Sequence, residues 1–192
     1  MVISIGCDNL AIDLKNAVIE EVKKLGHEVL DFGVKTPEDP YDYPDVAYPV
    51  AKAVADKKAD RAILICGTGI GMAISANKVN GVYAAVCHDI YSTERSILSN
   101  DCNCMCMGAL VIGKATALTL VRTWLGLTFK ESPSSKKIAK FKEIEAGTME
   151  VKLDVYKRQV MSSPLYKNGF HFKPLFREDN RRGGIIPIYG LF

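Results

Sequence analysis

The residues with the greatest capacity for chemistry are Cys66, Gly67, Thr68, Gly69, Ile70 and Gly71, which follow the apolar run Ile63-Leu64-Ile65. A short apolar run fits a buried strand, and Ala73, Ala76 and Asn77 continue a helical spacing beyond the glycines. A strand that enters a helix through a glycine-rich turn aims several main-chain N–H groups and a helix N-terminus at one anionic point. Cys66 stands at the lip of that point. A thiol in such a place is expected to ionise more readily than free cysteine. As a thiolate it can take a proton from a carbon next to a carbonyl, while the N–H groups of residues 67–71 hold the enediolate oxygen. A positioned base contributes roughly 10²–10⁴ in rate, and each oxyanion donor about 10²–10³ more. Those magnitudes suit aldose–ketose isomerisation, which needs no redox cofactor. The competing reading is a tight packing turn with an inert, buried cysteine.

Nucleotide-binding motifs do not fit the same loop. A dinucleotide fingerprint that starts at Gly67 and Gly69 needs its third glycine at position 72, which is Met72. A P-loop would need Gly-Lys-Ser/Thr, and none is present. Cys102, Cys104 and Cys106 alternate, so on a strand all three share one face, and small apolar packing is favoured over a metal that would need a fourth ligand. His27 reads as a surface residue, and His171 lies in a tail of different character. His88, beside Asp89 at a strand end, either serves a site or caps the next helix.

These groups must be carried by a framework, and the chain supplies one. Apolar strand-like runs fall at residues 2–6, 27–32, 62–65, 82–86 and 103–111. Helical spacing falls between them at 10–25, from about 45, to about 79, and at 91–99 and 115–125, with a last amphipathic helix at 134–145. The proline-bearing segment 36–44 reads as a loop. Alternating short apolar strands and helices predict repeated βαβ units, hence an α/β fold: a three-layer α/β/α sandwich with a five-stranded parallel, Rossmann-like sheet. Ligands bind such sheets beyond the carboxyl ends of the strands. Asp8-Asn9, residues 66–71 and His88-Asp89 all fall there.

Composition narrows the function classes. Of 192 residues, 48% are apolar and 24% charged, as in an ordinary globular protein. Residues 1–150 carry 17 Lys and Arg against 19 Asp and Glu, whereas 151–192 carry 8 against 3. The main body therefore lacks the basic stripe that nucleic acid demands. No run approaches the ~20 apolar residues of a membrane span. Six cysteines without a secretory signal predict reduced thiols in a cytoplasm. Periodicity disappears from Val151 onward, and residues 147–192 read as an irregular basic tail, disordered or non-native, with a weak hairpin signal about Asn168-Gly169.

Taken in order, Ile5-Gly6-Cys7-Asp8, Gly26-His27-Glu28-Val29, Asp31-Phe32-Gly33, Asp42-Tyr43-Pro44, residues 63–71, Ala76-Asn77-Lys78-Val79, Cys87-His88-Asp89, Tyr91-Ser92, Asn100-Asp101-x-Asn103 and Val111-Ile112-Gly113 resemble the type B ribose-5-phosphate isomerase / galactose-6-phosphate isomerase family. The resemblance covers residues 1–146. It implies a cofactor-free, metal-free aldose–ketose isomerase of a phosphorylated sugar, with ribose 5-phosphate as the default substrate. It also implies a homodimer or homotetramer with sites shared between chains. On that pattern Cys66 is the base, and Thr68 with the N–H groups of Gly67, Gly69 and Gly71 steadies the enediolate. Asp8, Asn9, Tyr43, His88, Asn100, Asn103 and Lys137 would line the substrate site. The chain departs from the family at five places. Asn9 replaces the usual histidine after Asp8, and Ser99 replaces the histidine associated with ring opening. Leu110 and Pro133 stand where arginines grip phosphate, and Lys137 is a point charge without arginine's bidentate fork. Residues 131–137 are closer to the B subunit of galactose-6-phosphate isomerase, which implies as alternatives one chain of a heteromer or a degenerate sugar-phosphate binding module.

Overall fold

A computed structural model describes residues 1–150 and the strands Lys173–Asp179 and Gly184–Gly190. The chain divides into two units, Met1–Gly147 and Thr148–Phe192. In the first, β1 (Val2–Cys7), β2 (Glu28–Asp31), β3 (Arg61–Cys66), β4 (Ala84–Val86) and β5 (Cys104–Gly108) form one sheet in the order β2-β1-β3-β5-β4. Every pairing is parallel. Helices α1 (Ile12–Lys24), α4 (Ile90–Leu98) and α5 (Lys114–Gly126) pack together, while α2 (Tyr43–Ala55) packs with α3 (Ile70–Ala76) and on β1 and β3. The predicted five-stranded α/β architecture is the one observed. A further helix, α6 (Ser135–Glu145), follows.

The central strands are apolar because helices cover both their faces. Ile3, Ile5, Ile63, Leu64, Ile65, Met105 and Met107 are fully buried, each worth about 1.5–3 kcal/mol in removal from water. In α1, Leu14, Val18, Ile19 and Val22 follow the 3.6-residue period inward. That helix ends as expected at Gly26, whose φ of +81° lets His27 N–H reach the Val22 carbonyl and Gly26 N–H the Lys23 carbonyl. Helix α2 ends the same way, but Lys57 occupies the left-handed position at φ +61°. The start of α2 is two residues earlier than predicted, because the Asp45 carboxylate accepts the Asp42 N–H across the first turn.

Two strand ends differ from the sequence expectation for a definable reason. The fourth strand is only Ala84–Val86, since the Asn103 side chain has already taken the Tyr83 N–H (2.8 Å) and donates to the Gly81 carbonyl (2.8 Å). The fifth stops at Gly108, because Ala109, Leu110, Val111 and Ile112 turn their N–H groups onto the carbonyls of Cys66, Gly67 and Gly108. Because the strand starts at Cys104, Cys102 precedes it, and only Cys104 and Cys106 of that trio share a strand face, with sulfurs 4.0 Å apart.

In the second unit, β6 (Lys173–Asp179) and β7 (Gly184–Gly190) pair antiparallel, with Lys173 opposite Gly190 and Asp179 opposite Gly184. Periodicity in the tail did not announce them. The turn expected about Asn168-Gly169 lies outside the described residues. No helix of the described residues is long and apolar enough to cross a membrane.

Candidate active site

The carboxyl ends of β1, β3 and β5 lie side by side. β1 leads to α1 on one face and β3 to α3 on the other, so a crevice opens between Asp8 and Cys66, as at the switch point of other doubly wound sheets. Asp8 N–H donates to the Ile65 carbonyl at 3.2 Å, which sets the two strand ends level. Burial pushes the Asp8 carboxyl above its usual range, with the Leu10 N–H (3.1 Å) opposing that shift. Asn9 is exposed next to it.

Cys66 is 5% exposed, so the residue is buried at the end of β3 beneath the glycine loop. The sulfur accepts the N–H of Gly69 at 3.0 Å. This bond requires the loop to double back, and Gly69 permits it with φ +78°. A Cβ at Gly69 would meet the Met107 backbone at 2.9 Å, so the loop lies directly on the end of β5. Ala109 N–H donates to the Cys66 carbonyl (2.8 Å) and Leu110 N–H to the Gly67 carbonyl (3.0 Å). In a trans peptide the following N–H points the opposite way. The N–H groups of Gly67 and Thr68 are thereby turned away from β5, and among the described residues neither has a hydrogen-bond partner.

This arrangement reassigns part of the expected nest. The Gly69 N–H serves the sulfur rather than an enediolate oxygen, and the Ile70 N–H donates to the Thr68 hydroxyl oxygen (3.3 Å). Thr68 itself is exposed at the loop tip. Gly71 lies under the ring of Tyr43, whose carbons stand 2.7–2.9 Å from where a Cβ would be. Tyr43 therefore does flank the loop, from the first turn of α2. Leu10 and Leu110, which sequence reasoning did not assign to the site together, converge on Gly67 from the β1–α1 and β5–α5 turns. Their approach depends on strand order, so no local signal carried it.

All six cysteines are free and buried. Burial pushes the Cys7 and Cys102 thiols up to about 12 and that of Cys87 up to about 11. Cys106 also rises well above the usual thiol value, through its hydrogen bond with Cys104 and through burial. Among the described residues, only the Cys66 sulfur accepts a main-chain N–H.

Several expected site residues are placed elsewhere or used otherwise. The Nε2 of His88 accepts the Gly108 N–H at 2.9 Å, while Asp89 caps α4 by accepting the Ser92 N–H (2.8 Å). Asn103 lies at the amino end of β5, with both halves of its amide bound to backbone. Asn100, whose amide donates to the Arg95 carbonyl (3.4 Å), follows α4 at the same end. Lys137 is exposed in the first turn of α6, a helix that reaches the Gly81 N–H and Tyr83 hydroxyl through Glu145. Within one chain Asn100 and Asn103 do not join the Cys66 crevice, because the motif that carries them leads into the amino end of β5 while Cys66 stands level with its carboxyl end. A cavity of about 380 Å³ lies between the starts of α4 and α5, lined by Asp89, Ile90, Ala115, Thr116, Thr119 and Leu120; Cys66 is not part of it.

Known proteins share this fold and much of this sequence. The model of the ribose/galactose isomerase family matches residues 3–141. The chain is similar to ribose-5-P isomerase B of Listeria innocua, 47% identical over 76% of this chain and 97% of the relative. It is as similar to D-erythrulose-4-phosphate isomerase of Pectobacterium atrosepticum, 47% identical over 72% of this chain and 91% of the relative. Among solved structures, ribose-5-phosphate isomerase B of Clostridium thermocellum superposes with a TM-score of 0.74 at 42% identity, over 77% of this chain and 99% of that one. The chain belongs to the ribose/galactose isomerase family, the sugar-phosphate aldose–ketose isomerases.

Proposed function

We propose that this chain interconverts ribose 5-phosphate and ribulose 5-phosphate through an enediolate, with Cys66 as the base. The observation that carries the reading is the Cys66 sulfur held by the Gly69 N–H beside the unpaired N–H groups of Gly67 and Thr68. The thiolate takes the C2 proton of the open-chain aldose, and the C1 oxygen gains the charge that Gly67 and Thr68 N–H groups stabilise. Transfer of the C2 hydroxyl proton to the C1 oxygen and return of the proton from sulfur to C1 give the ketose, so the thiolate is regenerated and no cofactor is consumed. Asp8, Asn9 and Tyr43 border the sugar. A four-carbon phosphosugar is the closest competing substrate, since the relatives named for five- and four-carbon substrates are equally identical to this chain. The test is an isomerase assay of the purified chain across four-, five- and six-carbon sugar phosphates. Preference for ribose 5-phosphate supports the reading, and preference for a tetrose phosphate replaces the substrate but keeps the base.

The working form in this reading is a homodimer in the cytoplasm, where the six thiols of each chain stay reduced. Asn100 lies at the opposite end of the sheet from Cys66 in one chain, so in this reading it reaches a site across a subunit boundary. Mixing Cys66→Ala chains with Asn100→Ala chains tests this, because one of the two shared sites is then intact and activity returns. A heteromeric assembly with a homologous chain is the second reading, favoured by the apolar Leu10 and Leu110 over Gly67 where a phosphate would need a cation. Robust activity of the lone chain removes it. The catalytic unit is residues 1–146, and a chain that ends after Gly147 is expected to retain turnover.

A further inference from the structure

We propose that His88 is a positioning residue, whose imidazole braces the end of β5 and so fixes the glycine loop that carries Cys66. β4 finishes at Val86, and the chain turns off before it reaches the level of Gly108. The imidazole supplies the acceptor that the strand no longer provides: Nε2 takes the Gly108 N–H at 2.9 Å. An acceptor nitrogen carries a lone pair, so the ring is neutral with its proton on Nδ1. Burial, which holds His88 below its ordinary value, favours the same state.

Gly108 is where the brace meets the catalytic loop. It stands opposite Cys66 in the β3–β5 register. A Cβ there would meet the Thr68 backbone at 2.8 Å, so the two segments touch main chain to main chain. The Gly108 carbonyl accepts the N–H groups of Val111 and Ile112, closing the turn that presents Ala109 and Leu110 to the Cys66 and Gly67 carbonyls. Those two bonds orient the amides of Gly67 and Thr68. The ring thus acts on the amides through three linked peptide groups, without touching a substrate. A ring nitrogen occupied in this way is not available to open a sugar ring.

The kinetic part of the test rests on the proposed isomerase reading; the exchange part does not. Glutamine can present Oε1 where Nε2 stands, whereas alanine cannot. His88→Ala is expected to speed hydrogen exchange at the Gly108 amide at least tenfold and to lower kcat by about 10²-fold, as for a small misplacement of catalytic groups. His88→Gln is expected to restore most of both. A His88→Gln chain as impaired in kcat as His88→Ala, with the Gly108 amide still protected, overturns the proposal in favour of direct action on substrate. His88→Ala with wild-type exchange and kcat overturns it as well. If even the wild type turns over no sugar phosphate, the isomerase reading fails, and amide exchange alone decides the brace. Should His88→Ala not fold, the ring nitrogen shifts of the wild-type protein decide, since a proton found on Nε2 excludes the bond.

Discussion

At the amino end of β5, Asn103 engages the Tyr83 N–H and the Gly81 carbonyl, and Glu145 of α6 takes the Gly81 N–H and the Tyr83 hydroxyl. At the carboxyl end, His88 takes the Gly108 N–H, yet two peptide groups further along, across the strand, the Gly67 and Thr68 N–H groups are left without acceptors among the described residues. Both ends replace a missing strand partner with a side chain. Only one of them leaves donors unanswered. A saturated end is scaffold, whereas unpaired main-chain donors beside a sulfur form a place for a developing negative charge.

Substitutions at the two ends should separate these roles. The largest effect is expected from Cys66→Ala, which should lower turnover of ribose 5-phosphate by at least ~10²–10⁴ while circular dichroism stays unchanged. Activity within tenfold of wild type would remove Cys66 as the base. Gly69→Ala comes next. Its Cβ meets Met107 backbone at a position with φ +78°, so the loop must shift, and kcat should fall roughly 10²-fold. At the amino end, Asn103→Ala should cost about 1–3 kcal/mol in urea unfolding by stripping two half-buried backbone partners, with kcat and KM preserved. A raised KM at unchanged stability would return Asn103 to the substrate.

The architecture could be read from the sequence because three strands are nearly continuous apolar runs and α1 keeps a strict period. The strand–turn–helix about residues 66–71 was equally legible, since an apolar run, closely spaced glycines and a helical period follow one another there. Strand limits were not, because Asn103 cuts β4 short with a side chain that apolar patterning ignores. The duties of His88 depend on register: Gly108 stands level with Cys66, a fact that lives in the sheet and not in either segment. Asn100, Asn103 and Lys137 matched motifs, but a motif does not state which end of a strand it occupies.

Two smaller effects sharpen the contrast. Burial lowers the folded-state value of His88 below its ordinary 6.5, with Asp89 opposing. The unfolded chain then binds more protons as pH falls, so stability is fully present above about 6.5 and declines through the lowered value. Thermal melts between pH 7.5 and 5.5 should therefore show a steeper loss for wild type than for His88→Gln, and equal slopes would deny the titration. Lys57→Gly, at the end of α2, should raise stability by about 0.5–1 kcal/mol and leave kcat alone, because only the left-handed backbone is relieved.

The tie between residues 109–110 and the carbonyls of Cys66 and Gly67 has an engineering consequence. In chimeras among relatives, the connector from β5 to α5 cannot be exchanged as an independent cassette. One inserted residue there would rotate the peptide planes over the sulfur, so a graft chosen to alter sugar preference would alter catalytic rate first.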